Sequence, residues 1–147
     1  MPMLNKNKFI LIGILLVILF FGAIYKVGNK VSAPEEIFLN YRAQVQRVED
    51  FFQLEQLNKK YFSKNLMEKT KQKFNFSRLS KQEADRIIKG VKDTLFVSGN
   101  IKNRKQSFDD KKTAELIVTF NSGKTYQLPF VFENNSWKFA TFEEYSK

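Results

Sequence analysis

An apolar run without a charged side chain, Phe9 to Tyr25 ("FILIGILLVILFFGAIY"), is the feature that most constrains this chain. As an α-helix the run is about 25 Å long, which is at the short end of what spans a hydrocarbon core of about 30 Å. Lys8 and Lys26 flank the run, so their ammonium groups can lie among lipid headgroups, and Tyr25 suits the interfacial aromatic belt. The run therefore predicts a retained, single-pass membrane anchor.

Two other interpretations of the run remain open. A cleaved secretory signal needs a basic start, which Lys6 and Lys8 supply, and "VSA" at Val31 to Ala33 resembles a cleavage site. Against cleavage, the run is longer than a typical signal core, and Pro34 would follow the cut. A helix that is apolar all round can also lie at the centre of a much larger protein. We expect the anchor to be retained as a signal anchor.

The orientation of the anchor is not decided by counting basic residues, because they stand close to the run on both sides. Short basic tails before a first apolar segment usually stay in the cytoplasm. We therefore expect the tail at residues 1–8 inside the cell. The linker at residues 26–33 and the domain at residues 34–147 are then expected outside the cytoplasm.

Composition limits the chemistry that this domain can perform. The 147 residues leave roughly 115 beyond the anchor, which is the size of one domain. The 16 Phe, 5 Tyr and single Trp suffice for one hydrophobic core without disulfides. His and Cys are both 0, which excludes zinc sites of the usual kind and Cys/His or Ser/His catalysis. We expect no enzyme activity, no metal and no cofactor.

The first part of the domain has helical periodicity. "SAPE" at Ser32 to Glu35 has the spacing of a capping box, which predicts a helix start. Apolar residues then recur at spacings of three and four, which predicts one long amphipathic helix that ends near Asn58. The predicted inner stripe consists of Ile37, Tyr41, Val45, Val48 and Phe52.

Two shorter helices are predicted next. "FSKNLMEKTKQKF" predicts a second helix with Leu66, Met67 and Phe74 turned inward. "SKQE" at Ser80 to Glu83 repeats the capping-box spacing and predicts a third helix that ends near Asp93. Its predicted inner stripe is Ala84, Ile87, Ile88 and Val91.

From Thr94 the apolar pattern alternates, which predicts strands. The first has Leu95, Val97 and Ile101 on one face and ends at the polar turn "DDKK". "NSGK" and "ENNS" are predicted hairpin turns, and Gly123 can adopt positive φ. Pro129 predicts an edge position or a bulge, because it cannot donate to a ladder. The remaining strands contain Ala114, Leu116, Val118 and Phe120; Tyr126, Leu128, Phe130 and Phe132; and Trp137 to Ala140.

Helices followed by an antiparallel meander predict the α+β class. The expected architecture is an N-terminal transmembrane helix, then two or three helices packed in a curved four-stranded antiparallel sheet. The order of elements and the ending "AELIVTFNSGKTYQLPFVFENNSWKFA" resemble the nuclear transport factor 2-like superfamily, an α+β cone related in shape to cystatin, over about Pro34 to Phe142. This resemblance implies that the sheet wraps around the first helix.

The resemblance has two kinds of functional implication. Enzymes of the superfamily, such as ketosteroid isomerase and scytalone dehydratase, place Asp, His and Tyr groups inside the cone, and no such set is matched here. Asp50 lies near the predicted inner face without an identified partner. Membrane-anchored, non-catalytic members include inner-membrane assembly factors of type IV secretion systems, although those are usually longer. The implied location is the bacterial inner membrane.

The interior of the cone is the first candidate site. Aromatic and aliphatic side chains there are expected to line a pocket for an apolar molecule or a lipid chain. The alternative, which is the commoner outcome for such residues, is that they fill the core. The candidate residues are Val48, Phe52, Tyr126, Phe130, Trp137 and Phe139.

A basic surface is the second candidate site, in a chain of net charge +10. Close to a bilayer, lysines are attracted to anionic headgroups. A solvated helix face or an acidic surface on a protein partner is the alternative. Nucleic acid is not expected, because it requires a cytoplasmic domain and no nucleic-acid motif is present. The candidate residues are Lys8, Lys26, Lys59, Lys60, Lys64, Lys69, Lys71 and Lys73.

These features together predict a membrane-anchored interaction domain. We expect a subunit or assembly factor of an envelope complex, with other envelope proteins or further copies of the chain as partners and with membrane lipid in contact. A tethered binding module for an apolar small molecule or lipid is the alternative. An envelope immunity or inhibitor protein fits the same features.

Overall fold

The computed structural model describes residues 31–74, 78–141 and 143–144. Within those ranges, no helix has both the length and the apolar character needed to cross a bilayer. The predicted anchor at Phe9 to Tyr25 lies outside the described residues, as do Lys8, Lys26 and most of the predicted linker. The anchor therefore stays a prediction. From Ser32 onward the chain forms one compact unit.

Helices precede strands along the described chain, as the α+β prediction requires. Several helices pack on an antiparallel sheet that has four strands in its main order and a short fifth strand beside them, which confirms the class. The helices are α1 (Pro34–Val45), α2 (Phe51–Tyr61), α3 (Lys64–Lys73), α4 (Lys81–Asp93) and α5 (Leu95–Ser98). The strands are β1 (Ile101–Phe108), β2 (Thr113–Phe120), β3 (Thr125–Glu133), β4 (Ser136–Phe139) and β5 (Glu143–Glu144).

The prediction of one long first helix is wrong, because a turn separates α1 from α2. Asp50 has an extended backbone, and its side chain accepts a 2.8 Å hydrogen bond from the Gln53 amide. Aspartate is among the best residues at this capping position, and the cap begins a new helix instead of continuing the old one. Val48 in the turn is still buried, whereas Phe52 is 67% exposed. The prediction that Phe52 faces inward is therefore wrong.

The predicted capping box at Ser32 is also absent. The helix begins one residue later, with Ala33 as its N-cap, without a side-chain cap, and Pro34 in the first turn. Glu35 is bound to the sheet instead, since its amide donates to Gln106 Oε1 at 2.9 Å and its carboxylate lies 2.7 Å from Arg104 Nε. Contacts to β1 therefore replace the local capping bonds at this helix end.

The caps of α3 and α4 are made by serine side chains. The buried Ser63 hydroxyl accepts from the Leu66 amide at 3.1 Å. At the start of α4, Ser80 and Glu83 form the predicted reciprocal box, and the helix ends at Asp93 as predicted. These two helices are confirmed, because each cap satisfies amides that the first helical turn leaves unpaired.

The predicted strand from Thr94 is wrong over its first half. Leu95–Ser98 form the short helix α5, and β1 begins only at Ile101. Phe96 packs against α1, with its ring centroid 5.2 Å from that of Phe38 and 6.3 Å from that of Tyr41. Tertiary packing of this ring therefore outweighs a local alternation that is too short to specify a strand.

The sheet has the antiparallel order β1-β2-β3-β4, and β5 pairs with β3 beside β4. Gly123 in the β2–β3 hairpin has φ +88°, as predicted. The β3–β4 hairpin turns through Asn134 and Asn135, whose φ values of 50° and 60° are those of a two-residue turn with both residues left-handed. Alternation in β2 directs four side chains into the core, as predicted: Ala114, Leu116, Val118 and Phe120.

Pro129 lies in an interior strand, so neither the edge nor the bulge prediction is correct. It is in register with Glu115 of β2, and its carbonyl accepts a 2.9 Å bond from the Ala140 amide. On that side of β3, β4 pairs with residues 130–133 and β5 with residues 126–127. Proline is therefore located in the gap between two ladders, where an amide donor is not required.

β1 is the outer strand at the far side of the sheet, and most of its side chains are exposed. Three of them are cations: Lys102, Arg104 and Lys105. The hydrophobic core lies between the helices and the sheet, where α1 packs on β2 and β4. Its largest fully buried side chains include Phe38, Phe120, Phe130 and Phe139.

Candidate ligand-binding cavity

A cavity of about 400 Å³ lies between the helices α2, α3 and α4 and the strand β3. Its volume is within the range of about 300–1,000 Å³ that is typical of small-molecule sites. Aromatic and aliphatic side chains dominate its walls. The main apolar contributors are Leu54, Phe62, Met67, Phe74, Phe96 and Leu128.

Helical periodicity brings the walls together. Met67, Thr70 and Phe74 are three and four residues apart, so they share one face of α3 and its C-terminal cap. Ile87 and Val91 share a face of α4 in the same way. The α2 wall has the same spacing and consists of Phe51, Leu54, Glu55 and Asn58.

Two polar side chains of the lining bind each other. The Tyr41 hydroxyl donates a 3.0 Å hydrogen bond to Asn58 Oδ1. Burial raises the pKa of Tyr41 well above its usual range, so the hydroxyl stays neutral and keeps its proton. The pair therefore acts as a fixed donor and acceptor between α1 and α2.

Three other polar side chains of the lining also have partners. The hydroxyls of Thr70 and Thr94 each donate at 2.8 Å to a main-chain carbonyl, of Leu66 and Val91 respectively. The Glu55 carboxylate lies 3.1 Å from Lys59 Nζ. A ligand would therefore meet mostly apolar surface, because the protein already satisfies these polar groups.

Comparison of this chain with protein-family models, with curated proteins and with solved structures found no match.

One of the six residues predicted to line an interior pocket, Tyr126, lines this cavity. Phe130 and Phe139 belong to the packed core, with ring centroids 4.7 Å apart. Trp137 is buried against Phe108 and Phe132. Val48 is a buried residue of the α1–α2 turn, and Phe52 lies on the surface.

The sequence indicated several lining residues without assigning them to a site. Met67, Phe74, Ile87 and Val91 were expected to face inward, as parts of a helix stripe. Whether two such stripes touch or leave a space depends on how far apart the helices lie. That distance is set by contacts between distant parts of the chain, so the stripes alone predict burial and not a cavity.

The predicted basic residues that the structure describes are all exposed, on α2 and α3. Lys60 Nζ lies 5.1 Å from the ring centroid of Tyr61, and Lys73 Nζ lies 5.6 Å from that of Phe74. Lys138 of β4 donates to the Lys60 carbonyl. Partial burial lowers the pKa of Lys138, Glu133 opposes that shift and Lys60 adds to it.

Within the ranges that the structure describes, no group of three or more His, Cys, Asp or Glu residues is arranged to hold a metal ion.

Proposed function

We propose that this chain is a membrane-anchored, non-enzymatic binding module, and that its domain holds an apolar small molecule or a lipid acyl chain between α2, α3 and α4. The observation that carries this proposal is the cavity of about 400 Å³, most of whose polar side chains already have partners in the protein. Transfer of an apolar chain from water into such a space is favourable by about 25 cal/mol per Å². The absence of His and Cys from the whole sequence supports a binding role over catalysis.

Site-resolved photolabelling tests the proposal on the full chain in lipid nanodiscs. A photoactivatable dodecanol is added, irradiated and located by peptide mass spectrometry. We expect adducts on α3 and α4, at residues such as Met67 and Val91. Adducts confined to residues 9–25 would contradict the proposal, because they would show partition into the bilayer alone.

A matched pair of variants makes that test specific. Val91→Phe fills part of the cavity, so it should reduce labelling of α3 severalfold. Val131→Phe adds the same ring on β3, on the face opposite Phe130 and away from the cavity. It should leave the labelling unchanged. Equal labelling of both variants would show that the adducts do not depend on the cavity.

We also propose that the domain belongs to the nuclear transport factor 2-like superfamily and lies outside the cytoplasm, in the bacterial inner membrane. The order of helices and antiparallel strands supports the superfamily, and the basic tail before the apolar run supports the orientation. An experimental structure in which the sheet curves around α1 would support the cone. A reporter fused after Lys147 that is active only in the cytoplasm would contradict the orientation.

A second candidate function is docking of another envelope protein, as a subunit or assembly factor. Two large apolar side chains favour it, because Phe52 and Phe108 are 67% and 56% exposed. Among the strands that the structure describes, none pairs with the outer side of β1, which can therefore accept an extended segment. A photo-crosslinker at position 108 should give one stoichiometric adduct in membranes, and the same crosslinker at position 111 should not. Equal, diffuse labelling at both positions would contradict docking there.

A further inference from the structure

We propose that the ligand of the cavity is a single-chain amphiphile with an anionic head group, and that lysines of α3 hold that head group at the rim. This inference rests on the proposed function, because it assigns the chemical class of the ligand for the same cavity. A free fatty acid and an acidic lysophospholipid share the chemistry in question. Both combine one apolar chain with one exposed anion.

The helix α3 forms one wall of the cavity. Met67, Thr70 and Phe74 face the cavity, so the residues beside this stripe lie along its edges. At 100° per residue, Lys71 and Lys73 flank the stripe on opposite sides, and Lys69 lies beyond Lys73, farther round the helix. All three lysines are exposed. One helix therefore presents an apolar stripe to the cavity and cations along both edges of that stripe.

Lys73 provides the most direct contact between cation and cavity wall. Its Nζ lies 5.6 Å from the centroid of the Phe74 ring, and that ring lines the cavity. A chain packed on this ring would therefore end within reach of the ammonium group. Long lysine stems commonly follow apolar surface with the charged end in water, which is the arrangement that an amphiphile needs.

The balance of charge around the cavity favours an anion over a cation. The exposed face of α3 carries four lysines against Glu68. Glu55 is the acidic member of the described lining, and its side chain is 22% exposed and paired with Lys59 at 3.1 Å. A cationic head group would therefore have to compete with Lys59 for that carboxylate. An anionic head group would meet several exposed ammonium groups.

The exposure of these lysines determines how much more tightly an anionic head group should bind than a neutral one. Solvent-exposed ion pairs contribute modestly and are screened by salt. Three such lysines together should improve binding of an anionic head over a neutral one by about tenfold at low salt. The preference should shrink as salt is added, because the charges are not buried.

The experiment measures displacement of the photoactivatable dodecanol from the full chain in nanodiscs. Dodecanoate, dodecanol and dodecylamine are compared at equal concentrations in the bilayer and at a pH where the acid is ionised. We expect dodecanoate to compete about tenfold better than dodecanol, with dodecylamine weakest. Lauroyl lysophosphatidylglycerol and lauroyl lysophosphatidylcholine form a second arm. A preference for lauroyl lysophosphatidylglycerol over dodecanoate would identify the ligand as a lysophospholipid. The reverse preference would identify it as a free fatty acid.

Charge variants identify the residues responsible. The triple variant Lys69→Gln, Lys71→Gln and Lys73→Gln should reduce competition by dodecanoate to the level of dodecanol and leave dodecanol itself unchanged. The control removes three exposed cations elsewhere, by Lys102→Gln, Lys105→Gln and Lys111→Gln on β1 and the following turn. It should keep the preference for the acid.

The two proposals fail in different ways. Equal competition by acid, alcohol and amine would overturn the anionic head group and leave the apolar cavity standing. If the α3 triple variant keeps the full preference for dodecanoate, the assignment of the head group to the α3 lysines is overturned, and the apolar cavity again stands. Absence of displacement by every single-chain compound, together with labelling that Val91→Phe does not reduce, would overturn the proposed function itself.

Discussion

The Tyr41 hydroxyl donates a 3.0 Å hydrogen bond to Asn58 Oδ1, which links the middle of α1 to the end of α2 at the cavity wall. Tyr41 is 4% exposed, so removal of its hydroxyl leaves the Asn58 acceptor without this donor in a largely dry environment. Tyr41→Phe should lower the free energy of unfolding by about 1–2 kcal/mol. Urea unfolding followed by fluorescence of Trp137, which is buried, measures this loss.

Tyr126→Phe is the control for that prediction. The Tyr126 hydroxyl makes no hydrogen bond to the part of the chain that the structure describes, although its ring also lines the cavity. Its loss should change the unfolding free energy by less than about 0.5 kcal/mol. Equal effects of the two variants would show that the hydrogen bond between Tyr41 and Asn58 does not contribute to the free energy of unfolding.

Phe139→Ala should be among the most damaging single substitutions. Its side chain is 0% exposed, and its ring packs against Tyr41, Phe62 and Phe130. Truncation leaves a large void, so a loss of about 3–5 kcal/mol is expected. Phe52→Ala removes the same group from a side chain that is 67% exposed and should cost less than about 0.5 kcal/mol. Denaturation midpoints of the two variants measure these losses, and a similar midpoint for both would contradict the prediction.

Two glycines should respond to alanine in opposite directions. A Cβ at Gly90, inside α4, would meet no described residue within 4 Å, so Gly90→Ala should stabilise the protein by about 1 kcal/mol through helix propensity. A Cβ at Gly99 would lie 2.7 Å from the Leu95 carbonyl oxygen and 2.8 Å from Phe120 Cδ1. Gly99→Ala should therefore destabilise by about 1–3 kcal/mol. Thermal unfolding of both variants checks the signs.

Stability should depend on pH through Asp110. Its carboxylate accepts from the amides of Lys112 at 2.6 Å and Thr113 at 2.7 Å, and these bonds hold its pKa below the ordinary value of 3.8. A lowered pKa in the folded state contributes stability above the unfolded-state pKa, and that contribution disappears as the pH falls through the folded-state pKa.

Asp110→Asn should therefore lower the urea midpoint at pH 7, and the difference from the parent protein should narrow on acidification below about pH 4. The asparagine retains an acceptor oxygen and lacks the charge. Asp109→Asn changes the same charge in the same turn and serves as the control. A constant difference across the pH range would show that ionisation of Asp110 does not affect folding.

Features with local causes were predicted well from the sequence. The Ser80 and Glu83 capping box depends on two side chains three residues apart. Alternation in β2 and the positive φ of Gly123 are likewise properties of a few consecutive residues. Such patterns are visible in the sequence because the partners that satisfy them are neighbours along the chain.

Features decided by distant contacts were predicted poorly. Asp50 is compatible with a continuing helix as well as with an N-cap, and the choice depends on how α2 packs. Glu35 fits a capping box, but Arg104 and Gln106, about seventy residues away, bind it instead. The cavity has the same origin, since Tyr126 was predicted from strand alternation whereas the space opposite it depends on where α3 and α4 lie.

The cations on the outer strand β1 have a consequence for crowded conditions. Two copies of this chain that met side by side through β1 would bring Lys102, Arg104 and Lys105 of one copy close to the same three residues of the other. Mutual repulsion would oppose a continuous fibre of joined sheets. This protection should weaken in concentrated salt, where the charges are screened.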